Sequence, residues 1–224
     1  MPEAVDREYY EVIGDRSWAE KLLLRARKRM HQDFLRVVDL DKDTTILDVG
    51  VSNVQVQGAN FLESVYPHPE KISACGLGDG AEFVTAFPDV SYTQIVPNNR
   101  LPYGDRSFEV ATANAVLEHV GSIEKQKAFI SELRRVARQV FLTVPHRYFP
   151  VEHHTSIPVL HYTDPTFRLA CSVLGKERWL APEHLILMTK RQLRHLSSSG
   201  GEIGYTGIAL GPFSSNLFLY IDQR

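Results

Sequence analysis

The chain has 224 residues, of which 43% are hydrophobic and 23% charged, and its formal net charge is −2. This composition argues against a disordered or fibrous chain and predicts a single folded domain over 1–224 without a general attraction to nucleic acid. Two cysteines are too few for a disulfide framework, and no apolar run approaches the roughly 20 residues of a membrane span. The N-terminus lacks a signal core, so we expect a cytoplasmic protein that contacts neither membrane nor nucleic acid.

An amphipathic helix is predicted near the N-terminus, over about residues 16–39. Apolar residues recur there at every fourth position, namely Trp18, Leu22, Ala26, Met30, Phe34 and Val38. The basic residues fall mainly on other faces of this helix. They could contact an acidic partner, but a solvated surface explains them more simply, so we assign the helix no chemistry.

Five short β-branched and apolar runs follow, as is typical of strands buried on both faces of a parallel sheet. The runs are TTILDV (44–49), ISACGL (72–77), VSYTQIV (90–96), FEVATAN (108–114) and RQVFLTV (138–144). Helical patterns separate them, most clearly at 122–137, where Ser122 is a suitable cap. The alternation predicts an α/β fold with a doubly wound, mostly parallel sheet.

The last two strand-like runs, GEIGYTGIAL and SSNLFLYID, are joined by a short turn at Gly211 and Pro212. They predict an antiparallel hairpin at one edge of the sheet, which brings the expected number of strands to seven. The segment over about 145–187 fits the alternation poorly, because it is rich in histidine, proline and aromatic residues. We predict that it is an insertion or a lid.

The residues that directly follow each strand are candidates for a ligand site, because open parallel sheets bind ligands beyond the carboxyl ends of their strands. They read DVGVSN, GLGDG, VPNNRLPYGDRSFE, NAVLEHV and VPHRYFPVEHHT. This ordered set, above all LPYGDRSFEVATANAVLEHV at 101–120, resembles class I S-adenosylmethionine-dependent methyltransferases of the small-molecule type. The likeness is best over 44–145. It implies a seven-stranded Rossmann-like fold, S-adenosylmethionine as cofactor and a small-molecule acceptor.

The resemblance assigns the first turn to the methionine part of the cofactor. Asp48 and Gly50 match the family motif, whereas Ser52 and Val54 stand where later glycines are usual. Ser52 keeps its side chain small, and Asn53 beside it joins the expected cofactor residues. We expect the stiff Val54 to begin a helix rather than to continue the turn.

The resemblance also places cofactor residues after the later strands. Gly78 stands where the family carries an acid for the ribose hydroxyls, and Asp79 follows one residue later. Asn98 stands at the adenine position, where its amide can pair with the base edge. Asn114 and His119 complete the predicted cofactor site. Each missing hydrogen bond costs about 0.5 to 1.5 kcal/mol, so weakened binding is expected.

Two other functions remain open. The alternative is a non-catalytic methyltransferase-like module that kept the fold, lost the cofactor and binds a partner or ligand. A nicotinamide-dependent dehydrogenase is a weaker alternative, because the usual GxGxxG motif is missing.

The loop after the fifth strand supplies the predicted catalytic residues. If the acceptor is a hydroxyl, as we expect, a base must take its proton, and histidine is suited to that at neutral pH. We predict His146 or His153 as this base, with Glu152 orienting a histidine or binding a polar acceptor. Alternatively these histidines cap loops and pack against aromatic residues. A zinc-like metal ion is a third option, but HExxH and cysteine-pair spacings are missing, so no metal site is predicted.

Overall fold

The computed structural model describes residues 17–55, 58–197 and 200–224. The helices are α1 (Ser17–Val37), α2 (Phe61–Val65), α3 (Ala81–Ala86), α4 (Ile123–Val136), α5 (Asp164–Val173) and α6 (Lys190–Leu196). The strands are β1 (Ile46–Val49), β2 (Ile72–Gly76), β3 (Ser91–Gln94), β4 (Phe108–Asn114), β5 (Ala137–Pro145), β6 (Glu202–Leu210) and β7 (Phe213–Asp222). None of the helices in these ranges is long and apolar enough to cross a membrane.

The strands form one seven-stranded sheet in the order β3-β2-β1-β4-β5-β7-β6. The first five strands pair in parallel, and β7 is antiparallel to both β5 and β6. The order reverses between β1 and β4, so the ends of these two strands open a crevice where ligands bind in such sheets. The predicted doubly wound α/β sheet with a C-terminal hairpin at its edge is confirmed.

Helix α1 packs on one face of the sheet through the apolar residues that its fourfold spacing selected. Phe34 and Val38 are buried there with Phe141 and Phe218. The Phe34 ring meets the Phe141 ring edge-on, with their centroids 5.3 Å apart. A buried polar contact fixes the same helix to the sheet edge, since Thr206 Oγ1 donates to Asp33 at 2.8 Å. The helix therefore lies over β5, β7 and β6, on one side of the crevice.

The segment between β5 and α6 adds a small apolar cluster of its own. It contains α5 and two short 3₁₀ helices, Leu160–Tyr162 and Glu177–Leu180. Its buried members are Ile157, Phe167, Ala170, Cys171, Trp179 and Leu185. An isolated bridge between His146 and Met188 joins its two ends. The segment is thus packed, and its role as a lid stays a prediction.

Two leucines of the C-terminal hairpin test how strongly β7 stabilises the core. Leu217 is completely buried in the main cluster, whereas Leu210 is 56% exposed. We expect Leu217→Ala to lower the free energy of unfolding by about 2 to 5 kcal/mol, because it removes buried methyl groups and leaves a cavity. Leu210→Ala should cost less than about 0.5 kcal/mol. Urea denaturation measures both, and equal losses would contradict the packing described for β7.

Candidate functional site

A pocket opens at the carboxyl ends of β1, β4 and β5, under helix α1. Helix α1 contributes Arg27, Met30, His31 and Phe34. The β1 turn and the segment after it contribute Asp48, Gly50, Val51, Ser52, Asn60, Phe61 and Leu62. The opposite wall consists of Thr112, Asn114, Ala115, His119, Phe141, Thr143, His154 and Trp179. Asp48, Gly50, Ser52, Asn114 and His119 were predicted cofactor residues, and all five line this pocket.

The turn after β1 is stabilised by side-chain hydrogen bonds. Asn60 Nδ2 donates to the Ser52 carbonyl at 2.8 Å, and Asn60 Oδ1 accepts from the Ser52 backbone N–H at 2.9 Å. The Val54 N–H donates to Ser52 Oγ at 3.0 Å. Val54 does not begin a helix, contrary to expectation, because its N–H is used in this turn and the next described helix begins at Phe61.

Gly50 is required by both its backbone conformation and its neighbour. Its φ angle of +95° lies in the left-handed region, which disfavours side chains. A Cβ at this position would lie 2.4 Å from Val116 Cγ2, well inside van der Waals contact. The missing side chain allows the β1 turn to approach the residues that follow β4, which closes this end of the pocket.

Two buried carboxyls lie at the base of the β1 side. Burial raises the pKa of Asp48 to about 6, although its contact with Glu63 and the nearby Arg27 guanidinium lower it. Burial and the Asp48 charge raise the pKa of Glu63 well above its ordinary value. Glu63 is therefore the member of the pair that holds a proton more strongly, and Asp48 is the member that ionises first. Arg27 supplies positive charge from helix α1, to which the sequence had assigned no chemistry.

The remaining predicted cofactor residues do not line the pocket. Asn53 Oδ1 accepts hydrogen bonds from the backbone N–H groups of Glu82 and Phe83, at 3.0 and 3.1 Å, at the start of α3. Asn53 Nδ2 approaches Asp79 Oδ1 at 3.4 Å, and that oxygen also accepts from the Ala81 N–H. These contacts join the loops after β1 and β2 across the position that the resemblance assigns to the ribose.

Gly78 and Asn98 also lie outside the pocket lining. The Gly78 carbonyl accepts a hydrogen bond from the Tyr92 hydroxyl at 2.7 Å. Asn98 is exposed and adopts a left-handed backbone with φ of 60°. The structure therefore assembles the methionine side of the predicted cofactor site and leaves the adenosine side apart from it.

The wall opposite the β1 turn carries two imidazoles. His119 Nε2 and His154 Nε2 lie 3.1 Å apart, and both rings line the pocket. The Nδ1 atom of His119 donates to the His184 carbonyl at 2.5 Å, and that of His154 donates to Glu152 Oε1 at 2.8 Å. Each ring is thus oriented by a hydrogen bond on its far nitrogen.

Burial and charge set the protonation of this wall. Burial lowers the pKa of His119 to about 3, and the charge of His154 lowers it further. Burial would also lower the pKa of His154, but the Glu152 carboxylate raises it overall. The pKa of Glu152 lies below its ordinary value in spite of burial, because His154 and hydrogen bonds from Thr155 stabilise its charge. His154 is therefore the more basic of the two imidazoles.

Glu118 lies directly behind this pair. Its side chain is completely buried, and neither carboxylate oxygen has a hydrogen-bond partner among the described residues. Its Oε1 atom lies 4.0 Å from His119 Nε2. Burial raises its pKa to about 7, against the attraction of His154 and Arg27. A buried carboxylate without a partner is unusual and calls for a cationic neighbour.

The predicted catalytic histidines lie behind the pocket wall. His146 Nδ1 lies 3.2 Å from the Ser214 carbonyl, and its ring packs against Tyr148 and Tyr205. Burial lowers the pKa of His153 to about 4. Neither residue lines the pocket, and Glu152 reaches it only through His154. The loop that the sequence singled out supplies His154 to the pocket wall, but the direction of each of its side chains depends on a turn that spacing does not reveal.

No family model matches the chain, and a search of curated proteins finds no match either. Solved structures do match. A Thermotoga maritima protein described as an S-adenosylmethionine-dependent methyltransferase, possible histamine N-methyltransferase, aligns over 100% of both chains, with a TM-score of 0.61 and 13% identity. Magnesium protoporphyrin IX methyltransferase from Synechocystis, solved with bound S-adenosylhomocysteine, aligns over 97% of this chain and 94% of that one, with a TM-score of 0.57 and 15% identity.

The fold is that of the class I S-adenosylmethionine-dependent methyltransferases. A Rhodobacter sphaeroides protein described as a candidate zinc-dependent alcohol dehydrogenase also aligns, over 98% of both chains, with a TM-score of 0.57 and 11% identity. At identities this low, the class I methyltransferase fold does not by itself determine the reaction. The chemistry must therefore be argued from the pocket.

The buried Asp48 predicts a specific dependence of stability on pH. Because its pKa is raised in the folded state, to about 6, the folded chain retains a proton between about pH 4 and 6 that the unfolded chain has released. This group therefore makes the free energy of unfolding fall as pH rises through that window. Relative to Asp48→Asn, the wild type should lose about 1 to 3 kcal/mol between pH 4 and 7.

Urea denaturation at pH 4 to 7 measures this difference. Asp89→Asn, which changes an exposed aspartate that does not line the pocket, is the control for the substitution itself. Parallel pH curves for the wild type and Asp48→Asn would contradict the raised pKa of Asp48.

Proposed function

We propose that this chain binds S-adenosylmethionine in the pocket at the strand ends and transfers its methyl group to a hydroxyl of a small polar acceptor. One observation carries the proposal: a single pocket brings the Gly50 turn together with the imidazoles of His119 and His154. The class I fold supports methyl transfer in general. The hydroxyl acceptor is proposed from the imidazoles, because an alcohol needs a proton acceptor and a basic nitrogen lies at the pocket wall.

The β1 side of the pocket fits the methionine part of the cofactor. Asp48 offers a carboxylate for an ammonium group, and Arg27 offers a guanidinium for a carboxylate. The turn at Gly50 lets backbone approach a ligand without a side chain between them. When bound, the cofactor supplies a methyl group on a sulfonium centre, and alignment with the acceptor is then the main requirement.

The opposite wall fits a hydroxyl acceptor. His154 is oriented by Glu152, so its Nε2 atom is directed toward His119 and the pocket. This imidazole pair would take the proton of an acceptor hydroxyl, whose oxygen would receive the methyl group, and the cofactor would leave as a neutral thioether. Trp179 lies in the same wall, with its ring 5.3 Å from that of His154, and shields the pair from water. His154 therefore replaces His146 and His153 as the proposed base.

A specific observation favours the non-catalytic alternative. Asn53 and Asp79 join the loops at the expected ribose position, and Asp79 Oδ1 already accepts from the Ala81 N–H. Ribose binding there would require these contacts to open. Asp79 is exposed, so its carboxylate can turn toward a ligand at modest cost. We therefore expect weak cofactor binding rather than none.

Binding of S-adenosylhomocysteine, measured by titration calorimetry, tests the cofactor proposal. We expect a dissociation constant in the micromolar to submillimolar range. Gly50→Ala should weaken binding at least about tenfold, because a Cβ at φ of +95° strains the turn and meets Val116. Gly211→Ala is the matched control, since this glycine also has positive φ but nothing lies within 4 Å of a Cβ. A folded wild type that shows no heat at millimolar ligand would favour the non-catalytic alternative.

A histidine pair tests the catalytic proposal, once a screen of sugars, phenols and small acids has provided an acceptor. His154→Ala should lower kcat by about 10²- to 10⁴-fold, because the proton acceptor is lost, while S-adenosylhomocysteine affinity stays nearly unchanged. His146→Ala should keep most of the turnover, since His146 lies behind the pocket wall. A larger loss of kcat in His146→Ala than in His154→Ala would restore His146 as the base.

A further inference from the structure

The two imidazoles of the pocket wall present electron pairs to the same small space. The His184 carbonyl can only accept a hydrogen bond, so the His119 Nδ1 atom must carry the proton in that contact. The ionised Glu152 likewise fixes a proton on Nδ1 of His154. Each neutral ring then has its lone pair on Nε2, and the two Nε2 atoms are 3.1 Å apart. Two lone pairs at this distance repel each other unless a cation lies between them.

The carboxylate of Glu118 borders the same space. Its side chain is completely buried, and neither oxygen has a hydrogen-bond partner among the described residues. Arg27 attracts it through space without a hydrogen bond to it. Leaving a buried carboxylate without a close partner is costly. A cation between the imidazoles would also neutralise this carboxylate.

The positions of the two carboxyls favour a divalent ion over a shared proton. Glu118 Oε1 lies 4.0 Å from His119 Nε2, Glu152 Oε1 lies 2.8 Å from His154 Nδ1, and both side chains are buried. A proton between the rings would contact only the two nitrogens. A divalent cation would also take Glu118 as a direct ligand, with Glu152 acting through His154.

We propose that Glu118, His119 and His154 bind a divalent transition-metal ion of the zinc class. Their candidate ligand atoms all lie within 4.8 Å of one another. Ligands of a tetrahedral zinc ion are separated by about 3.3 Å when zinc–nitrogen bonds are about 2.0 Å long. The imidazole nitrogens at 3.1 Å match this separation. The Glu118 oxygen lies 4.0 Å from His119 Nε2 and within 4.8 Å of the other candidate atom, so it needs to approach by up to about 1.5 Å.

The outer hydrogen bonds match what metal-binding histidines require. A ligating histidine usually donates its other ring N–H to a carboxylate or a backbone carbonyl, which fixes the tautomer and the ring orientation. His154 donates to Glu152 and His119 donates to the His184 carbonyl. Glu152 is therefore a positioning residue for the ion.

The proposed site leaves a coordination position open to the pocket. It has three protein ligands, and two of them, His119 and His154, line the pocket. Three ligands with an open position are typical of catalytic rather than structural zinc sites. The inference does not depend on methyl transfer. An ion here would use the Nε2 lone pair of His154, so with the ion bound His154 would act on an acceptor oxygen through the ion and not as a free base. The inference replaces the sequence expectation of no metal site, which rested on the missing HExxH and cysteine-pair spacings.

Cobalt(II) titration of the untagged, chelator-treated full chain tests the proposal. Calorimetry and visible absorption should show one equivalent of Co²⁺ with d–d bands typical of low coordination, and Zn²⁺ should displace it. Mg²⁺ should neither bind nor compete, because imidazole ligands select zinc-class ions over hard cations. The absence of stoichiometric Co²⁺ and Zn²⁺ binding to folded protein would overturn the proposal.

Matched variants locate the ion. His154→Ala and Glu118→Gln should each weaken Co²⁺ binding by at least about 100-fold, and Glu152→Gln should weaken it by about 10- to 100-fold. His195→Ala, which removes an exposed histidine, should bind Co²⁺ as the wild type does. Circular dichroism checks that each variant folds. If His154→Ala does not fold, Co²⁺ binding by Glu118→Gln and the Co²⁺ absorption spectrum of the wild type decide whether the ion lies at this site. Unchanged binding in Glu118→Gln and in any folded His154→Ala would mean that the ion lies elsewhere.

These measurements need neither S-adenosylmethionine nor an acceptor. Metal binding without S-adenosylhomocysteine binding would support this inference and count against the proposed function. Binding of S-adenosylhomocysteine without binding of metal would overturn this inference and leave the methyltransferase proposal standing.

Discussion

The buried Glu152 carboxylate organises the pocket wall opposite the β1 turn. It accepts hydrogen bonds from the backbone N–H groups of His154 and Thr155, from the Thr155 hydroxyl and from the His154 imidazole. Lys176 in turn donates to the Thr155 carbonyl and ties this turn to the end of α5. Because so many donors converge on one buried anion, the turn has little freedom, and the direction of His154 is determined by it. The contact between His154 and His119 follows from that direction.

The β1 side of the pocket depends on a turn that is stabilised by side-chain hydrogen bonds although it contains few glycines. The class I methyltransferases that the sequence resembles use several glycines in the first turn. This chain has Gly50 there, but Ser52 and Val54 stand at the later glycine positions. Asn60 holds the turn with two hydrogen bonds to the Ser52 backbone, and Ser52 Oγ accepts a third from the Val54 N–H. The substituted turn is therefore an ordered structure in its own right. The loss of glycines does not imply the loss of the pocket.

The fold was predictable because its signals are local and repeated. Buried parallel strands give apolar runs, and their alternation with helices restricts the topology to few arrangements. The site was predictable only as far as chain order determines it. Asp48, Gly50 and Asn114 lie where strands end, so they line the pocket as expected. Arg27 and Asn60 reach it from helix α1 and from a turn beyond β1, and no spacing in the sequence relates them to the strand ends.

The loop after β5 shows the same limit on prediction for single residues. His146, His153 and His154 are of one residue type within one loop, so composition cannot distinguish them. Their directions are decided by individual hydrogen bonds, with the distant Ser214 carbonyl for His146 and with the neighbouring Glu152 side chain for His154. Glu118 gave no sequence signal, since the family pattern itself contains this residue. Only its complete burial without a hydrogen-bond partner shows that it differs from an ordinary surface acid.

The charge around the pocket links its two sides. Asp48, Glu63, Glu118 and Glu152 are all buried near it, and Arg27 is the buried cation on helix α1. Four carboxyls therefore share the guanidinium of Arg27. This balance of groups favours cationic over anionic ligands, because an unbalanced buried charge is costly and its field is poorly screened. A sulfonium centre on the β1 side or a divalent ion at the opposite wall would each supply positive charge, so the same electrostatic constraint supports each proposal independently of sequence motifs.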